Sequence, residues 1–176
     1  ESSSAMKKAI IDVFPFVIDV GIATTPAVEL AVREYKLDGG VIITASHNEP
    51  EWNGFKLLDE TGAIMPAQAM QTIIDAAAKI KNIGSLQSAK NQMIQLRRVE
   101  ALSAYAGFLE SIIGKSSLEK IRALPEKALA DPNGGAGIAL SEILDCLNLT
   151  QVCIINEPAG NFRRKIEPNG ASLKYL

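Results

Sequence analysis

Residues 16–44 read FVIDVGIATTPAVELAVREYKLDGGVIIT, and the order of apolar runs, glycines and proline in them decides the fold class. Phe16 to Val20 is a short aliphatic run stopped by Gly21, which reads as a strand. Thr25-Pro26 places proline where its fixed φ and missing N–H suit the first turn of a helix, and Ala27 to Tyr35 carries Val28, Ala31 and Val32 at helical spacing. Gly39 and Gly40 end that helix. Val41, Ile42 and Ile43 follow as a continuous β-branched run, the pattern of a strand covered on both faces in a parallel sheet. Strand, helix, strand makes this an α/β chain.

The same plan extends in both directions. Upstream, Met6, Ile10 and Val13 share one face of a helix entered from Ser2 to Ser4. Downstream, Asn53-Gly54 is a tight-turn signal before a strand at Phe55 to Leu58, and Pro66 to Ile80 reads as a helix turning Met70, Ile73, Ile74 and Ala77 inward. Ile83 to Arg98 is polar and mixed in charge, without an apolar stripe, and reads as a connection. Helical periodicity returns over Val99 to Ile113. A strand from Ala128, the turn DPNGGAG at 131–137, a helix to Leu147 and a strand at Val152 to Ile155 complete the chain. The expected architecture is three-layer α/β/α modules with mixed, mostly parallel sheets. Residues 1–82 form the later part of a first domain, 83–98 the connection, and 99–176 the opening of a second, similar domain.

Composition narrows the classes of function. With 47% hydrophobic and 22% charged residues the chain can bury a core, which excludes a disordered class. A net charge of -2 supplies no basic footprint for nucleic acid or an anionic membrane, so any phosphate must be held by local geometry. Charged residues interrupt every apolar run short of a membrane span, and the first residues lack the pattern of a secretory leader. Cys146 and Cys153 read as small buried hydrophobes, which fits a reducing cytoplasm.

The chemistry concentrates in ITASHNEPEWNGFK, residues 43–56, just past the carboxyl end of a strand, where ligands of open α/β sheets bind. Thr44 and Ala45 are small enough for backbone N–H groups of the turn to approach an anion closely, with Ser46 at the tip. A phosphoryl group on Ser46 would bring about two negative charges and three acceptor oxygens, for which Asn48, Asn53 and Lys56 are candidate donors. Glycine-flanked nucleophile elbows are absent and the single histidine directly follows Ser46, which argues against a serine hydrolase. The glycines 134, 135 and 137 lack dinucleotide spacing and read as a strand-to-helix turn.

Thr44-Ala45-Ser46-His47-Asn48, followed by Asn53-Gly54 and Lys56 at matching spacing, resembles the phosphoserine loop of the α-D-phosphohexomutases, of the phosphoglucomutase/phosphomannomutase branch. DVGIATTPAVELAV before the loop and DPNGGAG, NEPAGNF and IEPN after it resemble the family's landmarks in order. The resemblance implies that Ser46 is the phosphoserine and that His47 orients the phosphate or exchanges a proton with a sugar hydroxyl; the charge of a phosphoserine favours Lys56 as an electrostatic clamp, able to donate or accept a proton once that charge leaves. The resemblance also implies exchange of a phosphoryl group with hexose phosphates through a hexose bisphosphate, interconverting hexose 1-phosphate and hexose 6-phosphate. Magnesium is implied as cofactor, bound on this chain only through the phosphate of Ser46. The family's three alternating aspartates have no match here, so the other metal ligands and the sugar-recognition residues are expected outside this chain. Glu49 departs from the family's usual proline, while Trp52 keeps an aromatic position. The expectation is thus an incomplete portion of an isomerase, inactive alone. The competing expectation is a non-catalytic sugar-phosphate-binding or regulatory module with a truncated mutase fold.

Overall fold

The computed structural model describes residues 2–49, 51–80, 95–155 and 162–174. In chain order these form α1 (Ser2–Val13), β1 (Phe16–Asp19), α2 (Thr25–Glu34), β2 (Gly40–Ile43), β3 (Phe55–Leu58), α3 (Ala67–Ala78), β4 (Gln95–Arg98), α4 (Ala101–Ile113), α5 (Lys115–Arg122), β5 (Ala128–Ala130), α6 (Ile138–Cys146) and β6 (Val152–Ile154). Among the described residues the strands make three ribbons. β1 pairs in parallel with β4, β5 in parallel with β6, and β2 antiparallel with β3. The mixed, mostly parallel α/β class expected from the sequence is what the chain adopts.

The buried apolar residues form two cores. Val32 of α2, Ile42 of β2 and Leu58 of β3 close the smaller one. The larger gathers Ala27 of α2, Leu102 and Ala106 of α4, Leu118 of α5, and Ala139 and Ile143 of α6. Ala27, Ala106 and Ala139 are no more than 2% exposed. With only a methyl at these points the helices can approach closely, and the Arg33 guanidinium over the Phe108 ring, 5.8 Å from its centroid, adds a cation–π contact between α2 and α4. The core therefore crosses from the first half of the chain into the second.

Several expectations are corrected. β2 is antiparallel to β3 and covered on one face only: Ile42 packs on α2, whereas Val41 is exposed. A β-branched run signals apolar surroundings and does not report strand direction. α3 buries none of its residues, and Ile73 and Ile74 are exposed. Its apolar spacing shows amphipathicity without showing a neighbour to cover it. Residues 95–98, assigned to the connection, form β4 against β1, while 83–94 lie outside the described residues. Cys146 and Cys153 are free and exposed. The motif Asn156 to Asn161 lies outside the described residues.

Candidate functional site

The loop after β2 is built as an extension of the β2–β3 hairpin. The register pairs Gly40 with Leu58 and Ile43 with Phe55, and it continues one step further, where the Thr44 N–H donates to the Gly54 carbonyl at 2.9 Å. The Gly54 N–H donates in turn to Asn53 Oδ1 at 3.0 Å. Residues 44–54 thus leave the sheet from a fixed base.

At the tip Ser46 has φ 57, a left-handed conformation that disfavours any side chain with a Cβ by roughly 1–2 kcal/mol. Its N–H donates to Thr44 Oγ1 at 2.9 Å, and its Oγ lies 3.2 Å from His47 Nδ1. The Asn48 backbone N–H and side-chain Nδ2 both reach the Ala45 carbonyl at 3.0 Å. Such a conformation persists where the surroundings over-determine it, as these bonds do. The amides of Thr44, Ser46 and Asn48 are thus engaged within the hairpin and the loop in this conformation. Asn48 braces the loop through its Nδ2, whereas Asn53 does so through Oδ1, which accepts rather than donates. Lys56 pairs across from Ile42, on the same face of the hairpin as Thr44 and Gly54, and is half-buried.

Thr44, Ala45, Ser46 and Asn48 line one side of a cleft of about 700 Å³. His47 joins through its contact with Ser46, whereas Asn53 and Lys56 stand outside the lining. Across the cleft are Gly135 and Ala136 of the glycine turn with Phe162 and Ile166. Sequence reading treated that turn as a connection, and the far wall it builds was not anticipated. An ion pair holds this wall together: Arg164 Nη2 lies 3.1 Å from Asp131 Oδ2, with the side chains 10% and 4% exposed. Asn133 Nδ2 donates to the Arg164 carbonyl at 3.3 Å and Asn133 Oδ1 accepts its N–H at 3.4 Å. Gly137 completes the turn, because a Cβ there would collide with the Pro132 ring. The type signal for the network was Asp and Asn around proline and glycine, but its arginine lies about thirty residues on, at no fixed spacing.

The cleft carries one further ion pair. Lys7 Nζ of α1 is 2.7 Å from Asp19 Oδ2 at the end of β1. That hydrogen bond, helped by the Gly21 N–H and the charges of Lys7 and Arg98, holds the Asp19 carboxyl below its usual range against the opposing effect of burial. Among the described residues no group of three or more His, Cys, Asp or Glu gathers as a cation site. The donors at the loop do not form a magnesium cage by themselves.

Similarity to known proteins now completes the assignment. The α/β/α layering and the serine loop define a domain of mutase type, and the family model "Phosphoglucomutase/phosphomannomutase, alpha/beta/alpha domain I" matches residues 2–84. A phosphoglucomutase/phosphomannomutase of Thermococcus kodakarensis is 34% identical over 160 residues, 90% of this chain and 34% of that protein. A Pyrococcus abyssi protein assigned as a phosphoglucosamine mutase is 36% identical over 99% of this chain and 38% of its own length. A Thermus thermophilus crystal structure assigned as a phosphomannomutase superposes with a TM-score of 0.70 at 26% identity, covering 91% of this chain and 35% of that one. The chain belongs to the α-D-phosphohexomutase family, and it spans about a third of the length of these relatives.

Proposed function

We propose that this chain is the phosphoserine-bearing portion of a phosphohexomutase, in which Ser46 gives and takes the phosphoryl group that interconverts hexose 1-phosphate and hexose 6-phosphate. The observation that carries the reading is the left-handed, exposed Ser46 at the cleft, its Oγ 3.2 Å from an imidazole nitrogen. The relatives named for glucose, mannose and glucosamine phosphates support the substrate class.

In the loading step Ser46 Oγ forms a bond to phosphorus as the bond from phosphorus to a sugar oxygen of the hexose bisphosphate breaks. The serine proton passes to His47 Nδ1 when that nitrogen is unprotonated, and the departing sugar oxygen takes up a proton. Transfer back reverses these events and leaves the other phosphoryl group on the sugar. The transition state is loose, so alignment and neutralisation of charge dominate. Lys56, on the strand that follows the loop, is the residue assigned to supply positive charge; a unit pair brought to about 4 Å at an effective dielectric near 20 attracts by roughly 4 kcal/mol. Two exposed free thiols support a cytoplasmic setting.

Incubation of the full-length protein with a hexose 1,6-bisphosphate and magnesium, followed by intact-mass and peptide mapping, tests the reading. The expected result is one phosphoryl group on Ser46 and none in Ser46→Ala. Modification mapping elsewhere would refute the assignment, and hexose phosphate binding without transfer would favour a non-catalytic sugar-phosphate module.

A further inference from the structure

We propose that Thr44 is a positioning residue, whose hydroxyl holds Ser46 in the left-handed conformation that delivers Oγ to the cleft beside His47. The geometry links the loop to rigid structure through this side chain. Thr44 is fixed to the hairpin by its N–H bond to the Gly54 carbonyl, and its Oγ1 accepts the Ser46 N–H at 2.9 Å. A β-branched residue has few χ1 choices, so the hydroxyl is preset before Ser46 arrives. The following contact, from Ser46 Oγ to His47 Nδ1, depends on that backbone placement. Thr44 therefore acts through Ser46, and the same hydroxyl keeps its own hydrogen available for another acceptor.

The importance of this positioning rests on the phosphoryl-transfer reading, whereas the geometry does not, and the experiment separates the two. Thr44→Val keeps the shape and removes the hydroxyl, while Thr44→Ser keeps the hydroxyl. In the isotope-labelled chain, Ser46 of Thr44→Val is expected to lose its left-handed chemical-shift signature, and its amide to exchange roughly tenfold faster, the loss of about one hydrogen bond. Thr44→Ser should remain within about threefold of the parent. Retention of the left-handed, protected Ser46 in Thr44→Val overturns the proposal. In the second arm, run on the full-length protein, phosphoryl loading of Ser46 from a hexose 1,6-bisphosphate should slow by roughly tenfold to a hundredfold in Thr44→Val, as expected for a misplaced nucleophile, and recover in Thr44→Ser. Loading at the parent rate despite a lost conformation also overturns it. Failure of the full-length parent to load counts against the mutase reading alone and leaves the conformational result decisive for Thr44.

Discussion

The strained serine is where residue-level energetics and chemistry oppose each other. Ser46→Gly removes the Cβ that resists φ 57, and Ser46→Ala keeps it, so the glycine variant is expected to be the more stable of the two by about 1 kcal/mol. Parallel denaturant titrations measure the difference, and equal midpoints would show that the loop relaxes at no cost. Neither variant retains a hydroxyl to accept phosphate, so stability and function part at this position. In the full-length protein Lys56→Met should slow phosphoryl loading more than Lys56→Arg, because only the latter keeps a positive charge at this position; matched rates would remove the clamp role. The residue types of this site were legible in the sequence, since hydroxyl, imidazole, amide and ammonium groups cluster within a single short segment, residues 44–56, after a strand. Their bonding was not. Small residues suggested free amides, whereas Thr44, Asn48 and Asn53 turn the loop's own polar groups inward to fix its shape.

Among elements, those that bury a face were the easiest to read. α2, α4 and α6 put residues into the larger core and were expected from helical spacing. β4 was hidden because QLRR is exposed along its whole length and has no apolar alternation to mark it. α5 was missed because Gly114 with φ 79 breaks the helix, after which a short, polar segment brings only Leu118 fully inside. Leu118→Ala should therefore cost about 2–5 kcal/mol, read as a lowered denaturant midpoint at unchanged slope. The Lys7 and Asp19 contact ties α1 to the end of β1. Its carboxyl ionises below the ordinary value, so its stabilisation is present above about pH 4 and lost as pH falls through the lower folded value. The Lys7 side chain is 44% exposed, which limits the effect to below about 1 kcal/mol. Asp19→Asn should flatten part of the acid limb of the stability curve, and an unchanged acid limb would assign that limb to other carboxylates.

For the whole molecule the decisive feature is the core shared by α2, α4, α5 and α6. Sequence reading divided the chain at 83–98 because composition changes there; packing follows apolar faces, and Ala27 lies among residues more than seventy positions away. Unfolding followed separately at Trp52, near the serine loop, and by helix content should give coincident transitions. Two separated transitions would mean that the halves hold together only weakly. The far wall of the cleft could not have been read locally, since Arg164 meets Asp131 through a fold that spacing does not encode. The β2–β3 ribbon carries a last consequence. Its inner face packs on α2, while Val41, Ile43, Phe55 and Leu57 share the opposite face, with Val41 and Phe55 exposed. A greasy ribbon of this kind invites copies to stack as concentration rises, so light scattering should grow with protein concentration. Phe55→Lys, at an exposed position outside the cleft lining, should raise the solubility limit.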